Sequence, residues 1–239
     1  RYTFLEMPQD NEFEIRFEDP RIGYFTDRVT DLSSTEITPY RDLVQKWNLQ
    51  KQNPDIAKSK PIKPIKFWLE NTTPNELRPL IKNAVLAWNI AFEKAGFKNA
   101  VVAKIQPDDA EWDAGDVKYN VVRWASTPSP RYSGYGPSVA NPRTGEIIAA
   151  DIVQEFNAIK RGYTYRKLWG YSEDNDPLEQ WIVSLTMHEV GHTLGLRHNF
   201  KSSWIYDAEE IHDVSITGDN HIGCLLYTSD AADEEDSVD

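Results

Sequence analysis

The sequence predicts an α+β fold, in which strands and helices share one hydrophobic core. Short segments rich in β-branched and aromatic residues, which are typical of strands, recur between residues 65 and 154. Two other segments begin with residues typical of helix N-termini, and the first of them continues with apolar residues at helical spacing. A chain of 239 residues, of which 40% are hydrophobic, is long enough to bury a sizeable core between such elements.

The composition argues against several classes of protein. The chain has 26 Lys and Arg against 38 Asp and Glu, a net charge of −12, whereas a nucleic-acid-binding domain normally presents a basic face. Because no apolar run approaches the roughly 20 residues that cross a bilayer, no membrane span is expected in this chain. A single Cys excludes an internal disulfide and does not indicate a compartment. The composition leaves the oligomeric state open.

The two ends of the chain are interpreted separately. The chain begins with Arg1 rather than Met and without a signal-like apolar segment, so the natural N-terminus is expected upstream. Residues 224–239 carry six acids and no base, and without them the net charge is −6. One interpretation of this segment is a disordered acidic tail. We favour a non-native tail, because the segment resembles translated sequencing-adapter read-through, and we leave it out of the fold prediction.

The beginning of the chain is the least regular part of the sequence. Residues 13–18 alternate in polarity and are followed by an Asp-Pro turn signal and an apolar segment at residues 22–25, which predicts a hairpin. Residues 41–50 fit either a strand or a short helix. Residues 51–64 contain three prolines and resemble a linker. We therefore treat residues 1–60 as an N-terminal extension that contains a hairpin and a linker.

From residue 65 onward the predicted elements are clearer. The first helix begins at a capping box formed by Thr73 and Glu76, with Pro74 at its first helical position. It continues for about six turns, until Gly96 ends it. A second capping box at residues 176–179 opens another helix. The predicted strands lie at residues 65–70, 101–105, 119–124, 137–140 and 146–154, with a Pro/Gly/Ser-rich loop at residues 126–135 and a turn at residues 141–145.

An acidic loop is predicted at residues 107–117. Its carboxylates are of the type that binds Ca²⁺, but their spacing does not match an EF-hand loop. We therefore expect a solvated loop at this position, with calcium binding as the alternative.

One segment carries a recognisable chemical site, with the sequence HEVGHTLGLRH at residues 188–198. His188 and His192 lie four positions apart, so on a helix both imidazoles can bind one ion at roughly 2.0–2.1 Å, the usual zinc–nitrogen distance. Gly195 tolerates the left-handed conformation of a sharp turn. This structural turn lets His198 approach the same ion from another direction. Three imidazoles with one open position are typical of a catalytic zinc site rather than a structural one.

Glu189 is the candidate catalytic residue of this site. It follows a predicted ligand by one position, so its carboxylate flanks the ion instead of binding it and can take a proton from a zinc-bound water. The other histidines, His212 and His221, lack ligand spacing and are interpreted as ordinary loop residues. Ser184 and Ser202 lie near the site in sequence, but no Ser–His–acid arrangement can be recognised.

The pattern HExxHxxGxxH at residues 188–198 is the metzincin signature. The surrounding HEVGHTLGLRHNF resembles a family of bacterial zinc-dependent metalloproteases of the met-zincin group, which are typically exported. Four upstream blocks are similar in the same order, namely KPIKFWLENTTP, AWNIAFEKAGFKNA, YNVVRWAS and YGPSVANPRTGEIIAADI. The resemblance covers residues 60–200 well and residues 12–50 loosely, so residues 61–223 are expected to form a catalytic domain.

The resemblance implies a zincin-like fold, with a twisted, mostly parallel mixed sheet, one antiparallel edge strand and two long backing helices. It also implies a zinc-dependent endopeptidase that acts on a peptide or protein substrate in an extracellular or periplasmic location. His188, His192 and His198 would bind Zn²⁺. Glu189 would be the general base. The substrate would lie along an edge strand formed by Gly136, Pro137, Ser138, Val139 and Ala140, with an irregular loop as the alternative for this segment.

One element of the metzincin pattern is missing from the sequence. These enzymes have a methionine-containing turn beneath the zinc, after the third histidine, whereas Met7 and Met187 both precede His198. The resemblance places this turn just after Gly223, where the atypical segment 224–239 begins. We therefore expect the catalytic domain to be truncated here, with the turn and one wall of the S1′ pocket lying in the lost part.

Two other functional interpretations remain. One is a binding module on a zincin scaffold that does not hydrolyse peptides. Loss of Glu189 would indicate such a module, and Glu189 is present. The other is a gluzincin-type peptidase, in which a downstream glutamate such as Glu209 or Glu210 would be the third ligand. His198 already has the spacing for that role, which favours the three-histidine site.

Overall fold

The computed structural model describes most of the chain. The described residues are 3–7, 12–170 and 177–198, together with positions 206, 207, 209, 210, 213 and 215. The predictions for Ser202, for His212 and His221, for residue 176 of the second capping box and for the tail at 224–239 fall on residues outside this set.

A small antiparallel pair precedes the main sheet of the molecule. It consists of β1 (Thr26–Thr30) and β2 (Tyr40–Val44). The main sheet contains β3 (Ile65–Leu69), β4 (Val101–Ile105), β5 (Asn120–Ala125), β6 (Gly134–Tyr135), β7 (Ser138–Ala140) and β8 (Ile147–Glu155).

The main sheet is mixed. Its strand order is β4-β3-β5-β8-β6, and β7 also pairs with β8. The strands β4, β3, β5 and β8 run parallel to one another, whereas the short strands β6 and β7 run antiparallel to β8. The predicted α+β fold, with a mixed sheet and an antiparallel edge, is confirmed.

In the described residues, four helices accompany the sheet, namely α1 (Arg78–Ala87), α2 (Asn89–Lys94), α3 (Phe156–Trp169) and α4 (Pro177–Thr193). The core lies between the sheet and the helices α1 and α4. Burying each large apolar side chain there contributes roughly 1.5–3 kcal/mol to stability. None of the helices in the described part of the chain is long and apolar enough to cross a bilayer. The core includes Ile65, Phe67 and Leu69 of β3, Ile81 and Val85 of α1, Ile152 of β8, and Ile182 and Val190 of α4.

The first helix starts later than the sequence predicts. The capping box does not form, and α1 begins at Arg78 without a side-chain cap. Instead, the Arg78 guanidinium donates hydrogen bonds to the backbone oxygens of Thr73 (2.9 Å) and Asn71 (2.7 Å). The backbone N–H groups of Leu77 and Arg78 both donate to the Pro74 oxygen. These bonds hold residues 73–77 in a turn, so the helix forms only after it.

The predicted six-turn helix is also interrupted, at Trp88. The indole N–H of Trp88 donates to the backbone oxygen of Met187 on α4, at 3.0 Å. The Asn89 amide forms two hydrogen bonds with the backbone of Val101 on β4, at 2.9 and 3.0 Å. These contacts with two different elements accompany the division into α1 and α2. As predicted, Gly96 follows the end of the second helix, with a φ of +89°.

The predicted hairpin of residues 13–25 is wrong. Residues 16–18 pair with β2 instead, because the Val44 N–H donates to the Arg16 oxygen and the Glu18 N–H donates to the Asp42 oxygen, both at 2.8 Å. Of the two alternatives for residues 41–50, the strand is correct for residues 41–44, which belong to β2. The sequence did not predict β6, which lies within the expected loop 126–135, or the helix α3.

The half-buried Asp151 on β8 makes the stability of the sheet depend on pH. Burial raises the pKa of its carboxyl above the usual value of 3.8, and the Val121 N–H, which donates to it at 3.4 Å, only partly opposes this shift. The folded state therefore binds the proton more tightly than the unfolded state, and stability falls as pH rises from about 3.8 through the raised pKa. Glu70, nearby, adds to the shift and Arg123 opposes it.

We expect Asp151→Asn to unfold at a higher temperature than the parent protein at pH 7, because the amide keeps an oxygen for the Val121 N–H and carries no buried charge. Below about pH 3.8, where both side chains are neutral, the difference should vanish. Thermal melts at the two pH values measure this. If Asp151→Asn melted at a lower temperature than the parent protein at pH 7, the buried Asp151 carboxylate would not be destabilising.

Candidate metal centre

Helix α4 carries two of the three predicted zinc ligands near its C-terminal end. His188 and His192 lie one turn apart, and their Nε2 atoms are separated by 2.9 Å. His188 is buried, whereas His192 is half-buried. Ile182 and Val190, on the same helix, belong to the core. Packing against the sheet therefore fixes the orientation of the helix face that bears the two imidazoles.

A left-handed turn follows the end of α4. Gly195 has a φ of +96°. The Gly195 N–H donates to the His192 oxygen at 2.9 Å, and the Leu196 N–H donates to the Gly191 oxygen at 3.1 Å. These two bonds form a Schellman motif, in which a glycine reverses the chain directly after a helix. The predicted structural turn at Gly195 is present and directs the chain towards His198.

The turn brings the third histidine to the first two. The Nε2 atom of His198 lies 3.1 Å from that of His188 and 3.0 Å from that of His192. A tetrahedral zinc ion with bonds of about 2.0–2.1 Å holds two nitrogens about 3.3 Å apart. The three ring nitrogens therefore have nearly the separation that a shared zinc ion requires, and this donor set fits the predicted metal.

A backbone oxygen orients one of the imidazoles. His192 Nδ1 lies 2.9 Å from the backbone oxygen of Leu196. A carbonyl only accepts hydrogen bonds, so we assign the proton of the neutral ring to Nδ1, which leaves the lone pair of Nε2 for a metal. The ring of Phe25 lies against the same imidazole, with centroids 5.7 Å apart. The ring of His192 is thus held from two sides.

Glu189 is buried, with 1% of its surface exposed, next to His188 on α4. The edge of the sheet packs directly on it. A Cβ atom at Gly134 would lie 2.9 Å from Glu189 Oε1, and one at Gly136 would lie 2.5 Å from the Glu189 backbone oxygen. A side chain at residue 136 would collide with the Glu189 backbone, whereas one at residue 134 would require the Glu189 carboxylate to shift. The edge strand therefore passes over the candidate general base.

The register of the edge determines which backbone groups point outward. The Asp151 N–H donates to the Pro137 oxygen at 3.1 Å, and the Asn141 N–H donates to the Glu146 oxygen at 2.8 Å. Residues 137 and 141 thus bond to β8, as does Val139, which is paired with Ala149. By alternation, the backbone groups of Ser138 and Ala140 point away from β8. No described strand pairs with that outer side.

The structure also bears on the other metal predictions. Within the described residues, the three histidines form the one group of potential ligand atoms close enough to share a metal ion. The carboxylates of the loop 107–117 form no such group, and neither Glu209 nor Glu210 joins the histidines. Trp112 of this loop stacks on Tyr119, with ring centroids 3.9 Å apart. The proximity of the three imidazoles favours the three-histidine site over a glutamate as third ligand, while the choice between a solvated and a calcium-binding loop stays a prediction.

Comparison with known proteins identifies a family similarity for one part of the chain. Residues 171–223 match the family model described as Met-zincin. The resemblance inferred from the sequence is confirmed for this segment, which contains the three histidines, Glu189 and Gly195. No curated protein and no solved structure matches the chain. The Met-zincin match and the clustered histidines together describe a zinc-metalloprotease-like fold. The assignment of individual ligands and of the base remains a prediction.

The sequence analysis did not identify two residues of this centre. Gly134 was placed in an irregular loop, although the alternate glycines at 134 and 136 are a signal of close backbone approach in a strand. Gln45 lies in the N-terminal extension, and its backbone oxygen would be 2.3 Å from a Cβ atom at Gly195. No local pattern indicates this contact, because its two residues lie in distant parts of the chain.

We expect Gly195→Ala to weaken metal binding and lower stability. An added Cβ would collide with the Gln45 oxygen, and alanine at a φ of +96° is strained by about 1 kcal/mol or more. Zinc affinity by competition with a chelator and thermal melts measure the two effects. Gly170→Ala is the matched control, because Gly170 also has a positive φ, of +69°, but an added Cβ there meets nothing within 4 Å. Equal zinc affinity in the two variants would contradict the importance of the Gly195 contact.

Proposed function

We propose that this protein is a zinc-dependent endopeptidase that hydrolyses peptide bonds with Glu189 as the general base. The observation that carries the proposal is the convergence of three imidazoles, two of them on the helix that also carries the buried Glu189, within a segment of Met-zincin type. His188, His192 and His198 are the proposed zinc ligands.

The proposed chemistry divides between the metal and the protein. Zinc, when bound, makes water nucleophilic near neutral pH and polarises the scissile carbonyl. Glu189 accepts the proton of the attacking water and delivers it to the leaving amine. Its carboxylate is not part of the histidine cluster, which suits proton transfer rather than metal binding. Its burial keeps the carboxylate in a low-dielectric environment, where its interactions with charge are stronger.

The substrate is proposed to be an extended peptide at the outer side of residues 136–140. The backbone groups of Ser138 and Ala140 point outward and can pair with it, as in β-strand addition. The glycines of this edge bring it onto Glu189, which would place the peptide near the base. The proposed location, extracellular or periplasmic, rests on the resemblance to exported met-zincins.

The role of Glu189 is tested by Glu189→Gln, which keeps the shape of the side chain and removes its basicity. We expect zinc content to stay normal, while peptide cleavage falls by about 10²-fold or more, because general base catalysis contributes that much. Elemental analysis and a peptide-cleavage assay measure the two quantities. A variant with near-normal turnover would exclude Glu189 as the base.

The matched control is His192→Ala, on the same helix. This change should reduce zinc content as well as cleavage, because it removes a proposed ligand that is oriented by the Leu196 oxygen. If Glu189→Gln also lost zinc, Glu189 would be a ligand or a structural residue.

The substrate strand is tested by Ala140→Pro, which removes an outward-facing N–H and spares the pairing with β8. We expect kcat/KM for peptides to fall by about ten-fold, since a lost hydrogen bond costs about 1 kcal/mol or more. Val139→Pro is the control, because the Val139 N–H faces β8 and its loss should lower the melting temperature. Normal kinetics in Ala140→Pro, with normal zinc content, would exclude this strand as the substrate site.

A further inference from the structure

The N-terminal extension contacts the turn that carries His198. The Phe25 N–H donates to the Gly195 oxygen at 2.8 Å, and the Arg197 N–H donates to the Gly23 oxygen at 3.1 Å. The Phe25 oxygen accepts a hydrogen bond from the Gln45 N–H at 2.8 Å. Residues 23–25 are therefore bonded both to the turn and to residue 45.

Gln45 connects three parts of the centre. Its backbone oxygen packs against Gly195, as described above. Its side-chain Oε1 accepts a hydrogen bond from the Ser138 hydroxyl on β7, at 3.3 Å. The side chain is half-buried, which favours a persistent bond. A single residue of the extension thus touches both the turn of the third histidine and the edge strand.

The neighbours of Gln45 are anchored on the same framework. The indole N–H of Trp47 donates to the backbone oxygen of Thr193, the last residue of α4, at 2.8 Å. The Lys46 N–H donates to the Gly145 oxygen at 3.0 Å, and the Ile147 N–H donates to the Lys46 oxygen at 2.8 Å. Residues 45–47 therefore join the end of the metal-bearing helix to the start of β8.

We propose that residues 23–25 and 45–47 are a positioning element of the metal centre, in which Gln45 couples the edge strand to the turn that carries His198. The proposal rests on the proposed function, because it assigns these contacts to a peptidase site. The extension is then a part of the catalytic machinery and not a separable appendage. Gln45 is a positioning residue, since it acts through His198 and Ser138.

Thermodynamic reciprocity provides a test on the unaltered protein. If the extension stabilises the arrangement that binds zinc, zinc must stabilise the extension by the same free energy. We expect zinc to slow hydrogen exchange of the Phe25 and Gln45 amides by about ten-fold, a coupling at the low end of the usual range. The Asp31 amide, which bonds to the Pro39 oxygen away from the centre, is the control and should be unchanged.

The exchange experiment separates the two proposals. If zinc binds and slows exchange only in α4 and residues 196–198, the positioning role is overturned and the proposed function stands. If zinc titration detects no binding, the proposed function fails and the positioning role fails with it. If zinc slows the Phe25 and Gln45 amides but peptides are not cleaved, the positioning role holds for a metal centre without peptidase activity.

The coupling through Gln45 is tested with Gln45→Met and Ser138→Ala, singly and together. Each change removes one partner of the same hydrogen bond. We expect each to lower kcat/KM by about three- to ten-fold with zinc affinity unchanged, and the double variant to match a single one. Gln52→Met is the matched control, because Gln52 is an exposed residue of the extension. If the double variant lost kcat/KM by the product of the two single losses, or if neither single change lowered kcat/KM, the coupling would be overturned.

Discussion

The left-handed turn at Gly195 is the constraint on which the candidate centre depends. Two imidazoles on successive turns of α4 approach each other through helix geometry alone. The third can join them only if the chain reverses at once, and a residue without a side chain permits the required φ of +96°. The same missing side chain admits the Gln45 oxygen, so one glycine serves both the local turn and a distant contact.

Close backbone packing recurs at the edge of the sheet. Gly134 and Gly136 let the edge reach Glu189, just as Gly195 lets the extension reach the turn. In both places, the absence of a Cβ atom brings a backbone from elsewhere in the chain to a residue of the HExxHxxGxxH segment. The buried carboxylate of Glu189 and the three histidines are thus enclosed by the helix, the edge strand and the N-terminal extension, whose Phe25 ring contacts His192.

Several features of the fold could be predicted because they arise from local sequence. The strands β3 and β4 lie where β-branched and aromatic residues recur, and Gly96 ends a helix as its conformational freedom suggests. Local patterns were misleading where distant partners competed. The capping box at Thr73 gave way to hydrogen bonds from Arg78, and residues 16–18 paired with β2 rather than with their sequence neighbours.

The sequence by itself determined the candidate metal site, since the three histidines, their spacing and the glycine between them all lie within residues 188–198. Only the tertiary structure decided what surrounds that segment. The bond from Trp47 to Thr193 joins residues 146 positions apart, and the contact of Gln45 with Gly195 has a similar span. Such contacts form because packing the core brings separate segments together, and the spacing of residues along the chain does not predict them.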